Sequence, residues 1–92
     1  MKSIIQTTKE CFICREFYGI EGAPDDPHHC IHGGSRRRAD SDGLYVYLCR
    51  FHHDRLHDHG EFDKELQIIA QRKFLETHTR KEWFERYGKF YD

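Results

Sequence analysis

Apolar residues recur along the last third of the chain at Phe62, Leu66, Ile69, Ala70 and Phe74, the i, i+4, i+7, i+8 spacing of one helix face. Asp63 stands where the N-cap of that helix belongs. A second helix follows from "THTRKEWFERYGKFYD". Thr79 and Glu82 have capping-box spacing, Gly88 terminates the helix, and Trp83, Phe84 and Tyr87 pack on the rest of the domain. Upstream the period changes. "LYVYLC", residues 44–49, is aromatic and β-branched and reads as a strand, and "HHDRLHDHG" reads as a short helix stopped at Gly60. A shorter strand is expected over residues 28–32, ended by Gly33-Gly34. The turn-rich "GIEGAPDDP" precedes it, and the polar "SRRRADSDG" follows as a loop.

The pattern predicts an α+β domain of two parts: a Cys/His-rich half, residues 11–60, and a helical tail, residues 61–92. With 92 residues there is room for a single domain, one that buries too little surface to be comfortably stable unaided. A staple is expected, and four cysteines with eight histidines point to a metal. The N-terminus "MKSIIQTTKE" lacks the apolar core of a signal peptide, and no apolar stretch approaches the roughly 20 residues of a membrane span. A cytoplasmic setting with reduced thiols is therefore expected rather than a disulfide framework. Fifteen basic and sixteen acidic residues leave a net charge of −1, so no global positive field advertises a nucleic-acid partner. Arg36, Arg37 and Arg38 form the one basic run.

Two knuckles carry the strongest chemistry. Cys11-x-x-Cys14 and Cys49-x-x-His52 together supply the four tetrahedral N/S ligands of a structural zinc site, and thiolate selects zinc over magnesium or calcium. Cys30 is a spare thiol that competes with His52 as the fourth ligand, unless it is a small buried residue of its strand. A redox role for Cys11-x-x-Cys14 is disfavoured because no βαβ pattern follows. The remaining histidines suggest a second ion. His53 and His57 lie i, i+4 on one helix face, whereas His52 projects about 100° away and is free to serve a different metal. On the first strand, His28 and His29 face opposite sides, so one can ligate while the other meets a substrate. Three imidazoles would leave open coordination positions, the mark of a catalytic ion. His32, His59 and His78 have no such support, although His59 is near enough to be an alternative ligand.

"HHCIHGG", "LYVYLC" and "CRFHHDRLH" resemble the HNH endonucleases of the ββα-metal (His-Me finger) group, over roughly residues 11–60. More loosely, the whole chain is similar to small HNH-like proteins of bacterial prophages. The resemblance implies a zinc-stapled, treble-clef-like ββα-metal core followed by two helices. It implies His29 as the general base, with His28, His53 and His57 as ligands of a catalytic divalent ion (Zn, Ni, Mn or Mg). Cys11, Cys14, Cys49 and His52 then hold structural zinc. The implied activity is hydrolysis of nucleic-acid phosphodiesters, DNA foremost, in a bacterial cytoplasm. Arg36, Arg37 and Arg38 are the first candidates for phosphate contacts, and Arg50 and Arg55 are secondary ones. One position departs from the family: its bracing asparagine falls on Leu44, unless Asp40 or Asp42 substitutes for it. That departure and the near-neutral charge favour the competing expectation, a non-catalytic zinc module that binds nucleic acid or protein.

Overall fold

The computed structural model describes residues 2–32 and 36–91. Five helices and a two-stranded antiparallel sheet form a small α+β architecture, in the order α1 (Phe12–Tyr18), β1 (Pro27–His29), α2 (Arg36–Ser41), β2 (Tyr45–Tyr47), α3 (Arg50–His59), α4 (Asp63–Leu75) and α5 (Arg80–Tyr87). The register pairs Pro27 with Tyr47, His28 with Val46 and His29 with Tyr45. Val46 and His28 face inward, so His29, Tyr45 and Tyr47 stand on the opposite face. The core runs continuously from Ile13 and Ile31 through Leu44, Val46 and Leu48 to Leu66, Phe74 and Trp83.

Several elements form where the pattern placed them. Thr79 and Glu82 complete their reciprocal capping box, and Gly88 closes α5 in the left-handed region. Gly60 closes α3 in the same way. Trp83 and Tyr87 are buried as expected, but Phe84 is solvent-exposed and stacks on Phe90. That places it on the outer face of α5.

Three expectations need correction. The first strand spans Pro27–His29 rather than residues 28–32. Pairing continues only through the Cys30 N–H to the Leu44 carbonyl, because β2's chain turns away at Gly43 and offers Ile31 and His32 no partner. Gly33-Gly34, expected to stop this strand, lie outside the described residues, as does Ser35. The run expected as a polar loop forms α2 from Arg36. Arg and Ala are good helix formers, Ala39 is fully buried, and the Ala39 carbonyl accepts from the Leu44 N–H. Asp63 is the first residue of α4 rather than its cap. Phe62 takes the cap position at φ 67° with no side-chain cap bond. A left-handed Phe costs about 1–2 kcal/mol, offset by ring packing on Phe17, whose centroid is 4.8 Å away.

The N-terminal segment lies along β2. Ser3 Oγ donates to the Tyr45 carbonyl at 2.6 Å, the Tyr47 N–H donates to Gln6 Oε1 at 2.8 Å, and the Ile4 N–H donates to the Gly43 carbonyl at 3.0 Å. Gly43 has φ +72°, and a Cβ there would collide with the Lys2 carbonyl oxygen. Gly60 has a similar φ with open space around it. Gly43→Ala is therefore expected to lower stability in urea denaturation by about 2 kcal/mol or more, exceeding the loss from Gly60→Ala.

Candidate metal centres

Cys11 and Cys49 are the N-caps of α1 and α3, and each sulfur accepts from a backbone N–H three residues on. The Cys14 N–H donates to Cys11 Sγ at 3.4 Å and the His52 N–H donates to Cys49 Sγ at 3.5 Å. The same turn that caps each helix brings in the second ligand of its knuckle. His52 Nδ1 lies 3.6 Å from Cys11 Sγ, 3.4 Å from Cys14 Sγ and 3.3 Å from Cys49 Sγ, and the Cys14 and Cys49 sulfurs are 3.8 Å apart. Zn–S bonds near 2.3 Å and Zn–N bonds near 2.1 Å put tetrahedral ligands about 3.6–3.8 Å apart. Cys11, Cys14, Cys49 and His52 thus form a buried site compatible with a structural metal such as zinc. Cys30 lies apart from it, wholly buried in the core.

The electrostatics point the same way. Burial, followed by the neighbouring Cys11 and Cys49 sulfurs, pushes the Cys14 thiol up to about 12. Three thiolates this close repel one another unless a cation lies among them, and a divalent ion inverts that balance. Burial lowers His52, which keeps its imidazole neutral and able to ligate.

His53, the next residue, turns to a second cluster. One ring nitrogen each of His28, His53 and His57 lies within 4.8 Å of the other two. The His53 and His57 ring centroids are 4.8 Å apart, and His28 lies 5.7 and 5.8 Å from them. His28 is buried, and its Nε2 has no hydrogen-bond partner. An unsatisfied buried polar atom costs about 1–3 kcal/mol, and a cation at the cluster would satisfy it. Burial, followed by the charges of His32, His53 and His57, pushes His28 down to about 4, so its ring is neutral near pH 7. Asp25 Oδ2 stands 3.7 Å from His53 Nδ1, where a carboxylate stands behind a metal-bound imidazole. The residues fit a divalent ion with nitrogen ligands.

A third group, His28, His32 and Asp63, shares a member with the second. Here His32 Nε2 lies 2.6 Å from Asp63 Oδ1. Two ligands of one tetrahedral ion with bonds near 2.1 Å sit about 3.4 Å apart. The pair is hydrogen-bonded to itself, and forms a wall rather than a cage.

His28, His29, His32, His53, His57 and Arg36 line one cavity of about 450 Å³. His29 Nε2 is 3.1 Å from Asp40 Oδ1, and that bond leads the causes holding the Asp40 carboxyl below its usual range. Asp42 is committed elsewhere: it accepts from Arg86 Nε and from the Tyr87 hydroxyl. Among the arginines, Arg36 reaches the cavity and Arg37 is exposed, while Arg38 donates to the Arg86 carbonyl. Arg50 pairs with Asp25 and Asp54, and Arg55 pairs with Glu61.

Asp25, Asp63 and Gly22 were not singled out from the sequence as site residues. The carboxylates gave no local signal, since their histidine partners come from distant turns. Gly22 showed only as a turn residue. Its carbonyl accepts from the Cys11 N–H, and a Cβ on it would lie 2.7 Å from Cys14 Sγ. Compared with known proteins, the chain matches no family model, and neither a curated protein nor a solved structure gives a significant match. Among the described residues, no helix is long and apolar enough to cross a membrane.

A strong zinc chelator is expected to abolish the cooperative thermal transition once metal loss is verified by elemental analysis. Gly22→Ala crowds the sulfur without removing a ligand. It is expected to weaken zinc retention about tenfold or more in competition with a chromophoric chelator.

Proposed function

We propose that the protein is a metal-dependent phosphodiesterase of the HNH type that cuts nucleic acid, DNA foremost. The observation that carries this reading is the convergence of His28, His53 and His57, with a buried unpartnered nitrogen among them, on the wall of a cavity that also holds His29. His28, His53 and His57 would hold a divalent ion there, and its charge would supply electrostatic stabilisation of the phosphoryl transition state. The chain's own residues do the rest. The Asp40 carboxylate accepts from Nε2–H of His29, which fixes the tautomer and leaves Nδ1 as the basic nitrogen. His29 takes the proton of the attacking water, a role typically contributing roughly 10²–10⁴-fold. Arg36, with Arg37 beside it, offers the phosphate a positioning charge that carries no base information. Asp25 steadies His53.

Asp40 answers the departure at Leu44. Leu44 is wholly buried, and its backbone ties Ala39 to Cys30, so that position builds core. The brace on the base comes instead from α2, eleven residues beyond His29.

The competing reading, a zinc module without catalysis, draws on the aromatic rings exposed around the sulfur cluster at Tyr18 and Phe51. Plasmid nicking by protein reconstituted with zinc, nickel, manganese or magnesium separates the two. The nuclease reading expects divalent-dependent nicking that falls at least about 100-fold in His29→Ala while the fold and bound metal stay intact. An unchanged rate in that variant, or no nicking with any ion, overturns it. Asp40→Asn is expected to lower kcat by about 10–100-fold with KM little changed, and Asp40→Glu to recover part of the loss. Asp40 is exposed, so neither change threatens folding.

A further inference from the structure

One face of the sheet plays no part in metal binding. His29 and Tyr45 are opposite each other in the register, with ring centroids 6.0 Å apart. Tyr47 follows on the same face, 6.2 Å from Tyr45, and Lys9 Nζ lies 5.3 Å from the centre of the Tyr47 ring. The N-terminal segment fastened along β2 closes the far side. Between it and the two tyrosines lies a cavity of about 390 Å³ with Lys2 and Lys9 on its wall and no carboxylate among the lining residues. In a chain of net charge −1, this is a locally cationic groove, separated from the proposed base by the Tyr45 ring.

The spacing selects among ligands. Bases stacked in a duplex strand lie parallel, about 3.4 Å apart, whereas these rings are inclined to one another by 50° and 84° with centroids 6.0 and 6.2 Å apart. Bases that meet successive rings must be unstacked from one another, which a duplex forbids and a free strand allows. Aromatic platforms beside a basic wall are the means by which proteins hold single strands without reading their sequence.

We propose that Tyr45 and Tyr47, with Lys2 and Lys9, form a track for an unpaired nucleic-acid strand leading away from the phosphate at His29. Bases lie against the tyrosines, and the backbone phosphates meet the lysines. The track rests on the nuclease reading only in where it places the cut phosphate, and it narrows the preferred substrate to one with an unpaired segment beside that phosphate.

The test uses the metal-loaded full chain carrying His29→Ala, so that the probe survives. Fluorescence anisotropy compares a labelled dT15 strand with a 15-base-pair duplex. The track expects dT15 to bind about tenfold tighter than the duplex, with Tyr47→Ala and Lys9→Glu each weakening dT15 by about tenfold. Lys9 is exposed, so its variant folds whatever becomes of Tyr47→Ala. Equal or tighter duplex binding, or an unchanged dT15 affinity in Lys9→Glu, overturns the track. The two readings fail separately. Tyr47- and Lys9-dependent binding of dT15 by a wild-type chain that nicks no plasmid keeps the track and removes the nuclease. Plasmid nicking by the wild type alongside dT15 binding indifferent to both variants does the reverse.

Discussion

Everything in this molecule is referred to one contact, the meeting of two capped turns at a four-ligand cluster. Cys11 and Cys14 belong to α1 and its cap, and Cys49 and His52 to α3 and its cap. Three sulfurs and an imidazole within tetrahedral distances do not attract one another: burial and the neighbouring sulfurs push the Cys14 thiol up. A cation among them would turn their proximity from a cost into a bond, and the gain would appear as folding free energy because the site does not exist in the unfolded chain. The consequence reaches beyond the staple. α3 carries both His52 and His53, so fixing one imidazole against the sulfurs fixes the rotation of the helix and the direction in which its neighbour points. His57 follows one turn on. The orientation of the second cluster is inherited from the first.

What the sequence revealed, and what it hid, divides by range. The capping box at Thr79 and Glu82, the stops at Gly60 and Gly88 and the two Cys/His knuckles depend on residues three or four apart, so local spacing states them in full. The alternation of His28 and His29 is likewise a property of one strand. The hidden parts depend on partners found only after folding. α2 reads as polar because three arginines precede its one buried residue, Ala39, and a single core position sets no period. β1 stops early because its partner ends at Gly43, a fact about another segment. Phe62 leaves its helix face because Phe17, 45 positions earlier, offers its ring a place to pack.

A net charge of −1 argues poorly for a nucleic-acid partner only when the charges are summed over the whole chain. Several of the acids are matched to arginines at short range: Asp25 to Arg50, Asp42 to Arg86 and Glu61 to Arg55. Matched pairs cancel at a distance and leave little long-range field. What a strand would meet is local: Arg36 at one cavity, Lys2 and Lys9 at the other. Total charge averages over these places and so misstates both.

The helical tail, which carries none of the proposed site's ligands, is tied to the proposed chemistry through Asp42. This carboxylate sits immediately beyond α2 and accepts from Arg86 and Tyr87 of α5, while Arg38 of α2 donates back to the Arg86 carbonyl. Burial and the Asp42 charge raise the Tyr87 hydroxyl's pKa, so it remains a donor throughout the physiological range. Three hydrogen bonds thus pin the middle and the C-terminal edge of a six-residue helix that propensity alone would leave marginal. Asp40 lies on that helix, and its position decides which nitrogen of His29 is free. A short helix pinned at two points holds a carboxylate more narrowly than a loop does, and a general base loses much of its effect with a misplacement of about 1 Å. The tail therefore stands two contacts from the proposed base, through α2 and then Asp40, and its packing belongs to the geometry of the proposed reaction as much as to the stability of the core.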